Sequence, residues 1–117
     1  MEGIFVHSLF IIVFAFGVIT FIAGYLLFKF PPTSINMLYG YRTARSMKSQ
    51  AAWDFAQGYA ARLMMKLAAY LILFSPPLLL FNISEIQGMI IGLSFIVLAS
   101  IFLILFTERA IKKRFKS

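Results

Sequence analysis

The chain has 117 residues, 62% hydrophobic and 13% charged, whereas a soluble domain of this size is nearer half apolar. Its apolar residues fall in long uncharged blocks rather than an amphipathic pattern, which argues against a water-soluble globular core. The net charge is +7 and there is no cysteine, so disulfide frameworks and thiolate chemistry are excluded, and the basic residues, set beside hydrophobic blocks, have anionic lipid rather than nucleic acid as their expected partner.

No charge occurs between Glu2 and Lys29, between Lys66 and Glu85, or between Glu85 and Glu108. A bilayer core about 30 Å thick takes roughly 20 such residues per helix. The sequence therefore predicts an all-α integral membrane protein, a single membrane domain over residues 1–117. Its three transmembrane helices are joined by a cytoplasmic loop containing a short turn and an amphipathic helix.

Helix 1 is expected over residues 4–28. Its apolar run is long for a signal peptide and begins with Glu2 rather than a basic segment, so a retained helix is expected. Gly17, Thr20 and Gly24 form a smooth stripe suited to close helix packing. His7 reads as a hydrogen-bonded or solvated residue near the interface. Phe30-Pro31-Pro32-Thr33 stops the helix, because neither proline can continue it and Pro31 disfavours helical backbone at Phe30.

The loop, residues 29–66, is the one long polar interval. Gly40 between Tyr39 and Tyr41 predicts a turn or a positive φ. A helix is expected to restart near residue 47, capped by Ser46 or Ser49. Trp53, Ala56, Ala60, Leu63 and Met64 mark its apolar face; Asp54, Gly58, Arg62 and Lys66 mark another. The pattern suits either a helix lying on the membrane surface or an extension of helix 2.

Helix 2 is expected over residues 67–81, lengthened if Lys66 snorkels. Ser75-Pro76-Pro77 predicts a kink that frees the carbonyls of Ile72 and Leu73 to face protein or water. Asn82-Ile83-Ser84 matches a glycosylation sequon but lies too close to the membrane for modification to be expected. Helix 3 is expected over residues 86–107, with Gly88 and Gly92 as a small-residue pair, followed by a basic tail over 108–117.

Lysine and arginine set the orientation. Lys29, Arg42, Arg45, Lys48, Arg62 and Lys66 precede helix 2, and five more follow helix 3; the N-terminal stretch and the second connection carry none. The expectation is a multi-pass protein of the bacterial cytoplasmic membrane, with the N-terminus outside and the loop and C-terminus in the cytoplasm.

Arg42, flanked by Tyr41 and Thr43 next to Gly40, suits a bidentate anion site, or a structural pairing with Asp54, the only acid in the loop. Arg42, Arg45 and Lys48 are spaced by three and would share one face of a helix. There is no Ser/His/Asp set, no metal-ligand cluster and no phosphate-binding glycine loop, so neither a metal nor a cofactor is expected, and binding is favoured over catalysis. The rival reading is a membrane enzyme or lipid-headgroup binder using Tyr41, Arg42, Arg45 and Asp54. A third is a scaffold subunit of a larger membrane complex, joined through the glycine stripes.

Residues 31–57 resemble the SdpI family of bacterial membrane proteins. The resemblance rests on Pro31-Pro32, Ile35-Asn36, Tyr39-Gly40-Tyr41-Arg42-Thr43, Ser46-Met47-Lys48, and Trp53 with Ala56. Ser49 and Gln57 stand where the family usually has asparagine. The resemblance implies a small polytopic membrane protein that confers immunity to a secreted killing peptide, and signal transduction by holding a repressor at the membrane. It makes Asn36, Tyr39, Gly40, Tyr41, Arg42, Thr43, Arg45, Ser46, Lys48, Trp53 and Asp54 the candidate binding residues. The expected partners are membrane lipid and a toxin peptide or cytoplasmic regulator. A homo-oligomer is compatible with so thin a bundle.

Overall fold

The computed structural model describes residues 7–115. Three helices, each long and apolar enough to cross a membrane, run antiparallel in chain order: α1 (Ser8–Lys29), α2 (Gln50–Phe74) and α3 (Glu85–Phe115). A 3-10 turn, Pro76–Leu80, follows α2. No strand occurs among the described residues. The bundle measures 53 × 24 × 22 Å, its long axis set by the 31 residues of α3, which at 1.5 Å per residue make about 46 Å.

The helices wear their apolar residues outward. Ile19, Ile22, Tyr70, Leu73, Ile90, Leu98 and Leu105 are all exposed, as expected where the surrounding medium is hydrocarbon. The interior is built from small residues instead, which let backbones approach. Gly17 and Gly24 of α1 pack on Ile72 and Met64 of α2; Gly88 and Gly92 of α3 pack on Leu9 and Ile12 of α1. Both glycine stripes are thus occupied within the chain.

α1 begins at Ser8; the expected first turn, residues 4–6, lies outside the described residues. His7 caps it, with Nδ1 accepting from the Phe10 amide at 3.3 Å and Nε2 donating to the Phe81 carbonyl at 3.1 Å. Ser8 Oγ donates to the Glu85 carbonyl at 2.7 Å, tying the start of α1 to the α2–α3 connection.

Of the two forms expected for the amphipathic stretch, the structure has the extension of helix 2: α2 runs unbroken from Gln50 into the second apolar block. Ser49, not Ser46, caps it, its Oγ accepting from the Ala52 amide at 3.0 Å. Two later boundaries differ from expectation. α2 does not kink through its prolines but ends at Phe74, and Ser75 Oγ donates to the freed Ile72 carbonyl at 2.8 Å, which removes the need for water there. Finally, α3 does not give way to a tail at Thr107 but continues to Phe115; residue 116 lies outside the described residues. Glu108 to Phe115 contains no glycine or proline, and Ile111 is buried on Ala52 and Ala56 of α2, with Phe55 and Phe115 packed beside them. That contact keeps the polar end helical. α3 opens on a reciprocal cap that sequence reading missed: Ser84 Oγ accepts from the Gln87 amide at 3.1 Å and Gln87 Oε1 from the Ser84 amide at 3.2 Å.

Candidate functional site

The site is the segment between α1 and α2, folded against the far end of α3. It has no regular secondary structure, so its backbone groups need partners from side chains. Each comes from a residue that the local sequence places for the purpose. Asn36 Oδ1 accepts from the amides of Leu38 (2.8 Å) and Tyr39 (2.7 Å), and its Nδ2 donates to the Ser34 carbonyl at 3.0 Å. This is an Asx turn, which asparagine forms because its short side chain mimics a backbone carbonyl. Tyr39 then reaches back, its hydroxyl donating to the Phe30 carbonyl at 2.8 Å at the end of α1.

Gly40 has φ +108°, in the region that disfavours any Cβ. A Cβ there would also lie 2.7 Å from Gln57 Oε1 and 2.8 Å from Pro32 Cγ. The close approach lets the fully buried Gln57 clasp the next residue. Its Oε1 accepts from the Tyr41 amide at 2.6 Å and its Nε2 donates to the Tyr41 carbonyl at 2.8 Å. Ser46, also fully buried, accepts from the Thr43 amide at 2.8 Å, while the Ser46 amide donates to Thr43 Oγ1 at 3.2 Å. Trp53 is 0% exposed, and its indole donates to the Pro32 carbonyl at 2.9 Å. Gln50 donates to the Thr33 carbonyl at 2.8 Å.

The side chains of the central motif converge on one acid. Glu108 Oε2 accepts from the Tyr41 hydroxyl at 2.7 Å and from Thr43 Oγ1 at 2.6 Å; Arg45 Nη1 meets Oε1 at 3.3 Å. Burial, reinforced by the hydrogen bond to Glu108 and its nearby charge, raises the Tyr41 phenol well above its ordinary pKa. Both effects favour the neutral phenol, the form that donates to Glu108.

Of the candidate residues, Tyr41, Thr43 and Arg45 are gathered on Glu108; Asn36, Tyr39, Gly40, Ser46 and Trp53 support the backbone that presents them. Arg42 and Lys48 are exposed, and Arg42 makes no ion pair among the described residues. The suggested Arg42–Asp54 pair does not form: Asp54 is exposed and accepts from Gln50 Nε2 at 2.8 Å, one turn away on its own helix. Tyr41, Arg42, Arg45 and Asp54 thus do not assemble into one constellation.

Sequence reading missed Glu108 and Gln57. In the sequence Glu108 reads as part of the tail, and its one signal is being the lone acid at the edge of a basic run. Gln57 was noticed for its position but not for its clasp, which needs an amide. Ser49, by contrast, does a capping job that asparagine does equally well.

The SdpI/YfhL protein family pattern matches residues 33–107, a stretch running from the loop to the last turn before Glu108. A Bacillus subtilis (strain 168) protein described as "Uncharacterized protein YfhL" is 53% identical over 49 residues, covering 42% of this chain and 44% of that one. The match thus spans less than half of the relative's length. No solved structure matches. With well over half of its residues matched, and the loop motif inside the match, this chain belongs to the SdpI/YfhL protein family.

Proposed function

We propose that this protein is a non-enzymatic, SdpI-like protein of the bacterial cytoplasmic membrane that protects its host from a membrane-active toxin peptide or from envelope stress, with the loop as its binding surface. The observation that carries the reading is Arg42. Tyr41, Thr43 and Arg45 are engaged on Glu108, while the Arg42 guanidinium stands exposed and without an ion-pair partner among the described residues, next to the Tyr41 backbone that Gln57 clasps. A pre-organised cation of this kind binds a carboxylate or phosphate of a toxin peptide or cytoplasmic regulator at little ordering cost.

The proposed orientation has the N-terminus outside and the loop in the cytoplasm. It is supported by the folding of the loop onto the Glu108 end of α3, which gathers the lysines and arginines at one end, as positive-inside membrane proteins arrange them. The second connection, at the opposite end, carries none.

The test is survival of a bacterial host expressing the protein under challenge by membrane-active peptides. Arg42→Ala should lose protection while reaching the membrane in normal amount, and Arg42→Lys should recover it only in part, because the planar fork is lost. Full protection by Arg42→Ala would remove the loop as the binding surface.

A further inference from the structure

The loop sits deeper than its place between two helices suggests. Three contacts give its level. The Tyr39 hydroxyl lies 3.3 Å from the Leu26 carbonyl, a turn inside the end of α1. Tyr39, Gly40 and Tyr41 line a cavity of about 280 Å³ together with Ala23, Leu27 and Met64, so they lie beside the last two turns of α1. The Tyr41 hydroxyl is 3.4 Å from the Ile104 carbonyl, within the apolar run of α3. The chain leaves α1, turns at its prolines and comes back alongside it.

At that level the loop presents apolar residues outward. Leu38 is 93% exposed and Met37 68%, yet both sit in a turn that Asn36 holds rigidly. On α1, at the level where Tyr39 meets Leu26, Ile22, Tyr25, Leu26 and Phe28 are exposed as well. Arg62 and Lys66, which flank Met64 on α2, are also exposed. Long cations at this depth belong in the headgroup region rather than the hydrocarbon centre.

Irregular backbone is tolerated at membrane depth only where protein satisfies its polar groups. Here protein serves several of them: Asn36 serves the amides of residues 38 and 39, Gln57 both backbone groups of residue 41, Ser46 the amide of residue 43, Trp53 the carbonyl of residue 32 and Tyr39 that of residue 30. A loop bathed in water could leave such groups to solvent. The motif residues are explained together as internal replacements for solvent.

We propose that residues 34–41 form a re-entrant foot seated in the headgroup and upper acyl region of the leaflet at the loop end, with Met37 and Leu38 inserted among the lipids and anionic phospholipid as the partner. The charge of the surroundings selects the lipid: Lys29, Arg42, Arg62 and Lys66 are exposed nearby, and Asp54 is the only acid between α1 and α3's own first turn. The inference rests on the three spanning helices and the geometry of the loop. It holds whether or not the protein protects against a toxin.

The absence of native cysteine makes the test direct. Leu38→Cys and, separately, Lys48→Cys are labelled with an environment-sensitive fluorophore in vesicles of mixed phosphatidylcholine and phosphatidylglycerol, with quencher on both sides. The label at position 38 should emit blue-shifted, be quenched by lipids brominated high on the acyl chain, and be several-fold less sensitive to aqueous iodide than the label at 48. Replacing phosphatidylglycerol by phosphatidylcholine should weaken the lipid quenching at 38. Equal iodide quenching at the two positions, with no effect of brominated lipid, would overturn the proposal and leave the tip facing water. Because Leu38 is almost wholly exposed, its substitution leaves the fold intact, and Met37→Cys provides a second reading of the same depth.

Discussion

The Tyr41 hydroxyl donates to Glu108 at 2.7 Å across 67 residues of chain. With Thr43 on the same oxygen, it closes the loop onto the last helix. Glu108→Ala would leave both hydroxyls without their acceptor, which costs about 1–3 kcal/mol for each buried group left unsatisfied; half-burial places the expected total near the lower end. Glu108→Gln keeps an acceptor and should lose less. The ion pair with Arg45, with side chains 35% and 19% exposed, adds at most about 1 kcal/mol, so Arg45→Ala should be the mildest of the three. Thermal unfolding in nanodiscs ranks them.

The same hydroxyl gives the protein a response to alkali. A phenol whose pKa is raised by folding contributes stability that is fully present below its unfolded value, near 10, and is lost as pH rises above it, because the unfolded state releases the proton first. Unfolding free energy should therefore fall above pH 10 more steeply in the wild type than in Tyr41→Phe. Parallel curves for the two would mean that the phenol is not held in its neutral form.

Two glycines make opposite predictions. Gly40→Ala forces a Cβ into positive φ and against Gln57 and Pro32; a strained backbone of this kind costs roughly 1–3 kcal/mol, and the Gln57 clasp should loosen with it, seen as faster amide exchange at Tyr41. Gly58 lies inside α2, and a Cβ there would meet the Arg62 guanidinium at 3.5 Å, an ordinary contact. Gly58→Ala should stabilise by about 0.5–1 kcal/mol through helix propensity.

Trp53 is a structural residue. Trp53→Ala removes the largest fully buried side chain and should cost about 3–5 kcal/mol, lowering the amount of folded protein in the membrane. Trp53→Phe keeps much of the volume but leaves the Pro32 carbonyl without its donor, for about 1–3 kcal/mol. If Trp53→Phe unfolds like the wild type, water replaces the indole at Pro32 and the loop end is wetter than its burial indicates.

Much of this protein was legible from residues alone. The three spans follow from uncharged length, a property of each segment by itself. The stop at Pro31-Pro32 and the glycine turn at residue 40 follow from backbone chemistry within a few residues; Pro76-Pro77 signals an interruption but not that α2 ends at Phe74, and the sequence offers Ser46 as well as Ser49 for the cap. What only the tertiary structure decided is who meets whom. Glu108 reads as the first residue of a basic tail until α3 continues past it and the antiparallel bundle carries it to Tyr41 and Thr43. Gln57 reads as one more polar residue on a helix until the turn at Gly40 brings the Tyr41 backbone to its amide. Asp54, the obvious partner for Arg42, points elsewhere because the α2 helix, extended through the loop's second half, sets it on an exposed face beside Gln50. Such pairings join residues far apart in sequence, and local periodicity carries no record of them; they arise because irregular backbone between close-packed helices must find hydrogen-bond partners in the protein itself.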